Sequence, residues 1–160
     1  MKDKIKKYLQ QVSKNFLLLE KQKDNIDSAT NLVLETLRNK NKVIFCGNGG
    51  SAADSQHLAA ELMGRYKIDR SPLPAIALTV DTSAITAIAN DYGYENIFSR
   101  QLQGLGVKGD VLIAISTSGK SKSILEAIKK AKEMNIKVIS LTGENISEMN
   151  KNSDICINTP

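Results

Sequence analysis

The sequence contains no tryptophan, few aromatic residues (4%), two cysteines and a single histidine. Proteins that hold single-stranded nucleic acid stack bases on aromatic side chains along a basic face, and this composition argues against that role. No run approaches the eighteen or more consecutive apolar residues that a membrane span needs. The amino terminus, MKDKIKKYLQQVSK, has lysines but no following apolar core, so it does not read as a secretion signal. Cys46 and Cys156 share no metal-ligand spacing and are too few for a disulfide framework. Both lie in apolar segments and are expected to be buried, reduced thiols, which predicts a cytoplasmic protein. The formal charge of +5 is unevenly spread: residues 1–42 carry ten Lys/Arg against five Asp/Glu, and the remainder is balanced. The basic excess therefore belongs to the amino-terminal segment.

What is present suits one domain of 160 residues, large enough to bury a single core. Ile5, Leu9, Val12, Phe16 and Leu19 recur at spacings of four and three, an apolar seam of helical period flanked by lysines and glutamines. Ile26, Ala29, Leu32, Val33 and Leu37 mark the face of a second helix. The first seam is narrow and precedes the rest of the pattern, as an oligomerisation helix would, so residues 1–41 are expected to join copies of the chain into a homo-oligomer.

From residue 42 apolar strands alternate with helices. Lys42–Cys46, Ala75–Val80, Asp110–Ile115, Lys137–Leu141 and Asp154–Ile157 are the expected strands. Helices are expected over Ser51–Arg65, from Ser83 through Ala89, over Ser121–Met134 and near Ser147. Continuously apolar strands alternating with helices predict a parallel sheet covered on both faces, hence a three-layer α/β/α domain over 42–160.

Open sheets of this kind bind ligands beyond the carboxyl ends of their strands. The first strand runs into Gly47-Asn48-Gly49-Gly50-Ser51 and then a helix, a turn in which glycines allow close backbone approach and a helix amino terminus attracts an anion. Ser51 is a candidate N-cap, with Asp54 three residues on. The third strand runs into Ser116-Thr117-Ser118-Gly119-Lys120-Ser121, whose hydroxyls can donate several hydrogen bonds to one phosphate. Gly119-Lys120-Ser121 is not a nucleotide P-loop, because the first glycine of that motif is replaced by Ala114. Gly47, Gly49 and Ala52 match a dinucleotide fingerprint with Asp81 after the next strand, but the hydroxyl-rich second loop has no place in that reading.

The helix after the first loop carries Asp54, His57, Glu61 and Arg65 on one face, with Leu58 and Leu62 opposite. A carboxylate near an anchored phosphate could act as base on a carbon acid, and His57 with Glu61 at i, i+4 could share a metal ion. Asn90-Asp91-Tyr92-Gly93 adds an amide and a carboxylate in a glycine-bearing loop.

CGNGGSAADSQHLAAELMGRY, AIANDYGYENIFSRQL and GDVLIAISTSGKS resemble the corresponding segments of phosphoheptose isomerases in the sugar isomerase (SIS) domain superfamily. The resemblance implies a flavodoxin-like subunit with a five-stranded parallel sheet, a homotetramer with active sites at subunit contacts, and isomerisation of sedoheptulose 7-phosphate on the way to bacterial surface heptose. It assigns Asn48, Gly49, Gly50 and Ser51 to the sugar-phosphate loop, Ser116, Thr117, Ser118 and Ser121 to the phosphate loop, and Asn90 and Asp91 to the substrate. Glu61 matches the catalytic carboxylate, and His57 and Glu61 match two zinc positions. Arg65 is expected to orient Glu61 or the substrate.

Members of the family continue into a final helix whose glutamine and histidine complete the zinc site and supply the second acid/base. This chain reaches Thr159-Pro160 where that helix would begin, and His57 is its one histidine. Intact Glu61 and intact loops favour a truncated sequence over one that has lost half its proton-transfer machinery. Two other functions compete: a non-enzymatic relative that binds the bacterial replication initiator, and a sugar-phosphate sensor. The first typically departs at the positions of Gly50 and Glu61, both retained here.

Overall fold

The computed structural model describes all 160 residues. Two helices, α1 (Lys2–Leu19) and α2 (Lys23–Arg38), precede five strands: β1 (Val43–Gly47), β2 (Ala75–Ala77), β3 (Val111–Ser116), β4 (Lys137–Gly143) and β5 (Ile155–Thr159). Between them lie α3 (Gly50–Met63), α4 (Thr82–Tyr92), α5 (Ile97–Leu105), α6 (Lys122–Glu133) and α7 (Glu148–Asn152). All pairings are parallel, in the order β2-β1-β3-β4-β5. That is the flavodoxin-like winding, whose order reverses between β1 and β3.

Alternation along the strands divides the core in two. Ile44, Cys46, Leu112, Ala114 and Val138 face one side and pack with Phe98 and Leu102 of α5, Ile124 and Ile128 of α6, and Met149 of α7. Val43, Phe45, Val111 and Ile139 face the other, against Ala29 of α2 and Ala59 of α3. Successive side chains of a strand point to opposite faces, so an uninterrupted apolar run is what two-sided burial requires. Burial pushes the Cys46 thiol up to about 12, which leaves it protonated and unreactive. Cys156 was expected to be equally buried; it lies on the last strand and is only half-buried.

Two aspartates staple the sheet at its amino-terminal edge, the end opposite the ligand-binding loops. Asp110, fully buried just before β3, accepts hydrogen bonds from the Lys42 N–H (3.0 Å) and the Val107 N–H (2.9 Å), and its Oδ2 lies 2.6 Å from the Lys42 ammonium. Asp154, before β5, accepts from the Val138 N–H (2.8 Å) and the Lys137 ammonium (2.6 Å).

Three elements differ from expectation. The second strand is the three residues Ala75–Ala77, not Ala75–Val80. It is the sheet edge; Leu78 adds one bond to Phe45, Val80 is exposed, and Asp81 turns away to cap α4 by accepting from the Ala84 N–H at 2.9 Å. α5 was not anticipated, yet Ile97, Phe98 and Leu102 are among the most deeply buried residues. Asn90-Asp91-Tyr92 is the last turn of α4 rather than a loop, with Gly93 as its C-cap. α1 has helical form as predicted, but none of its residues is buried, and Leu9 and Phe16 are 67% and 72% exposed. No helix is long and apolar enough to cross a membrane.

Candidate active site

The loops after β1 and β3 emerge side by side, at the point where strand order reverses and where such sheets open a crevice. The first is tightly drawn. A Cβ on Gly47 would run into the backbone carbonyl of Ser51, so glycine is what lets the first turn of α3 fold back on β1. The helix then begins one residue earlier than expected. Gly49 is the N-cap, no side chain caps the helix, and Ser51 lies within the first turn instead of acting as the cap with Asp54. The Ser51 N–H bonds to the Asn48 carbonyl (3.0 Å) and the Ala52 and Ala53 N–H groups to the Gly49 carbonyl (3.0 and 3.3 Å), so the Gly49 and Gly50 N–H groups are the ones left to meet an external anion.

The second loop leaves β3 at Ser116, turns through Gly119 at φ +64° and enters α6 with Ser121 as N-cap. Thr117 and Ser118 are exposed, and the Ser118 hydroxyl accepts from the Lys120 N–H at 3.3 Å. Ser121 makes no capping bond. Its hydroxyl is engaged by the first loop: Asn48 Nδ2 donates to Ser121 Oγ at 2.9 Å and to Ser123 Oγ at 3.0 Å. The Tyr94 hydroxyl donates to Asn48 Oδ1 at 2.9 Å. Asn48, Ser51, Ser116, Thr117, Ser118 and Ser121 line one open hollow of about 250 Å³. A single exit from the sheet therefore gathers most of the residues singled out for phosphate; Gly49 and Gly50 stand exposed at its rim.

The polar stripe of α3 lies elsewhere. Glu61 is eleven residues past Gly50, about 16 Å along the helix axis at ~1.5 Å per residue. His57 Nε2 is 3.6 Å from Glu61 Oε1, with His57 largely exposed and Glu61 half-buried. These two donors are positioned to share an ion, but no third His, Cys, Asp or Glu gathers with them. Of the apolar surface expected from Leu58, Leu62 and the alanines of this helix, Ala59 is buried and Leu62 packs beside it, whereas Leu58 is partly exposed and Ser55 is buried. Arg65 lies beyond the end of α3 and is exposed. Asn90 donates to Asp91 Oδ1 at 2.8 Å on the outer end of α4, close in sequence to Tyr94.

Two residues at this site were not singled out from sequence. Tyr94 follows a glycine as one exposed aromatic among others, and only the fold brings its hydroxyl to Asn48. Arg70 closes the carboxyl end of α3, donating to the carbonyls of Glu61 (2.8 Å), Leu62 (2.9 Å) and Ser71 (3.0 Å). It satisfies carbonyls that a helix end leaves unpaired and anchors the turn bearing Glu61.

This geometry defines a phosphate-competent α/β domain, and comparison with known proteins agrees. The chain belongs to the SIS domain family, which it matches over residues 7–143. It is 48% identical over its whole length to a phosphoheptose isomerase of Akkermansia muciniphila, spanning 85% of that protein. A phosphoheptose isomerase of Helicobacter pylori is 53% identical over 142 residues, 89% of this chain and 74% of the relative. The solved structure of the phosphoheptose isomerase of Neisseria gonorrhoeae superposes with a TM-score of 0.93 at 41% identity, covering 99% of this chain and 85% of that one.

Proposed function

We propose that this protein is a phosphoheptose isomerase that converts sedoheptulose 7-phosphate to D-glycero-D-manno-heptose 7-phosphate in the cytoplasm, supplying heptose for bacterial lipopolysaccharide or capsule. The observation that carries the reading is the joining of two anion-competent loops, through Asn48 and Ser121, into one hydroxyl-lined hollow. Ser51, Ser116, Thr117, Ser118 and Ser121, with the Gly49 and Gly50 N–H groups, hold the phosphate. Asn90 and Asp91 contact the sugar hydroxyls. The Glu61 carboxylate takes a proton from C1 of the ketose as the carbonyl oxygen at C2 is protonated, giving the enediol; loss of the O1 proton and delivery of a proton to C2 then give the aldose. Arg65 orients that carboxylate or the substrate. Zinc is assigned to His57 and Glu61, which are two of the four donors a tetrahedral ion takes; bound there it would polarise the carbonyl. None of the proton transfers above depends on it.

Distance dictates how these groups cooperate. From phosphorus to C2 an open-chain heptose 7-phosphate spans about 8 Å, by the reach of an extended covalent chain. Glu61 lies about twice that far along its own helix from the loop. The carboxylate over the sugar is accordingly assigned to a neighbouring subunit of a homotetramer. The unburied apolar seam of α1 and the exposed Leu58, Met63, Tyr66 and Ile68 on and after α3 supply surface for such contacts. Retention of Gly50 and Glu61 argues against the non-enzymatic reading. Incubation with sedoheptulose 7-phosphate and detection of the aldose by chromatography tests the proposal; a folded, zinc-supplied protein that gives no aldose overturns it.

A further inference from the structure

We infer that Tyr94 is a positioning residue, whose hydroxyl sets the orientation of the Asn48 carboxamide and thereby leaves the Ser121 O–H free to donate to the ligand's phosphate. The inference rests on the phosphate reading of the hollow.

The argument is a count of donors and acceptors. Asn48 carries two N–H donors on Nδ2 and an acceptor at Oδ1. Both donors are directed at hydroxyls, Ser121 Oγ at 2.9 Å and Ser123 Oγ at 3.0 Å, and Oδ1 accepts from Tyr94 at 2.9 Å. Ser123 is 2% exposed, so its hydroxyl proton has to find an acceptor inside the protein. The neighbouring oxygen is Ser121 Oγ at 3.3 Å. Ser121 Oγ then receives one hydrogen bond from Asn48 and one from Ser123, which fills both of its lone pairs. Its own proton points away from both, and Ser121 lines the hollow. The chain of hydrogen bonds runs from Tyr94 through Asn48 to Ser121 and ends in a donor aimed at the anion.

Turning the Asn48 amide by half a turn reverses this polarity. Oδ1 would accept from Ser121 and Ser123, and the donor intended for phosphate would be consumed within the protein. The two arrangements fill the same space and differ only in hydrogen-bond direction. Tyr94 is the side chain facing Oδ1; a phenol hydroxyl donates more strongly than it accepts, so it favours the arrangement that presents Oδ1 to it over the one that presents Nδ2. It is itself 56% exposed, so removal of its hydroxyl disturbs no packing.

The test is Tyr94→Phe, read by calorimetric binding of inorganic phosphate and by steady-state kinetics with sedoheptulose 7-phosphate. Loss of one neutral hydrogen bond predicts phosphate binding weakened roughly threefold to tenfold. KM should rise by a similar factor with kcat within about twofold and the melting temperature unchanged, because ground state and transition state share the phosphate contact. Asn48→Asp presents acceptors to both serines whatever Tyr94 does. It should weaken phosphate binding further, and Tyr94→Phe added to it should cost nothing more. Unchanged phosphate affinity in Y94F, or an additive loss in the double variant, overturns the inference. Absence of turnover in the wild type, with the Y94F effect on phosphate intact, removes the isomerase reading and leaves this one standing. Turnover with no Y94F effect does the reverse.

Discussion

His57 Nε2 and Glu61 Oε1 stand 3.6 Å apart, one turn apart on the outer face of α3. The carbonyl of Glu61 is also held by Arg70 at 2.8 Å, so the turn bearing the carboxylate is tethered from below. Replacing Glu61 by Gln keeps the side chain's shape but removes the carboxylate proposed as the base. Turnover should fall about 100-fold to 10,000-fold, the usual range for a lost general base. Inorganic phosphate should bind E61Q and His57→Ala as it binds the wild type, since neither residue touches the hollow. Parallel calorimetry and kinetics check both halves of this expectation.

The span between Glu61 and the phosphate loop predicts complementation between subunits. E61Q and Ser121→Asp should each be nearly inactive alone. After the two are unfolded and refolded together, about a quarter of the sites would pair an intact loop with an intact carboxylate from the neighbour. Activity recovered in the mixture supports a shared site. No recovery, despite mixed oligomers detected by native mass spectrometry, places both groups in one subunit.

Gly119 answers for the shape of the second loop. It adopts φ +64°, and a Cβ there would collide with Ser147 Oγ and Cβ. Gly119→Ala should lower stability by about 2–4 kcal/mol from backbone strain plus overpacking. Denaturant unfolding measures the loss, and phosphate binding should fall with it.

Burial pushes the Asp110 carboxyl up, but the Lys42 N–H and ammonium, the Val107 N–H and the Asn41 amide overcome that and hold it below the usual aspartate range. Asp154 behaves similarly: burial raises it, and Lys137 and the Val138 N–H bring it down. A carboxyl depressed in the folded state stabilises at pH above its unfolded value, and that contribution disappears as pH falls through the folded value. Stability should therefore be level near neutrality and drop from about pH 5 downward. Asp110→Asn should cost about 3 kcal/mol at pH 7, because it leaves the Lys42 ammonium without its partner, and it should flatten the acid limb. Asp154 still titrates in D110N, so urea titrations between pH 3 and 7 should show a shallower acid limb than the wild type's; a limb as steep as the wild type's would sink the assignment.

α1 exposes Ile5, Leu9, Val12 and Phe16 along one seam. Charging it with Leu9→Lys and Phe16→Lys should weaken the proposed oligomer, read as a lower molar mass by light scattering, while each subunit keeps its fold by circular dichroism. An unchanged molar mass would assign the assembly surface to another part of the chain.

Much of this molecule is written locally. β1 and β3 are unbroken apolar runs, and parallel strands buried on both faces require that pattern. Both loops announce themselves through glycine and hydroxyl density at strand-to-helix junctions. α5 was obscured because its buried residues, Ile97, Phe98 and Leu102, span little more than one turn and Gly104 interrupts the pattern. The starting residue of α3 depended on backbone angles at Gly49, not on the capping chemistry of Ser51. Tyr94 and Arg70 act across gaps of 46 and 9 residues, and no periodicity marks such partners.

The sequence by itself determined the layered α/β architecture, the family and the two loops rich in glycine and hydroxyls, because each depends on patterns within a few neighbouring residues. Tertiary structure alone decided that Asn48 joins those loops, since residues 73 and 75 positions away meet only when β1 and β3 lie side by side. It also separated Glu61 from the hollow that the same helix begins. A helix rises steadily along its axis, so residues on one face share a direction but not a place.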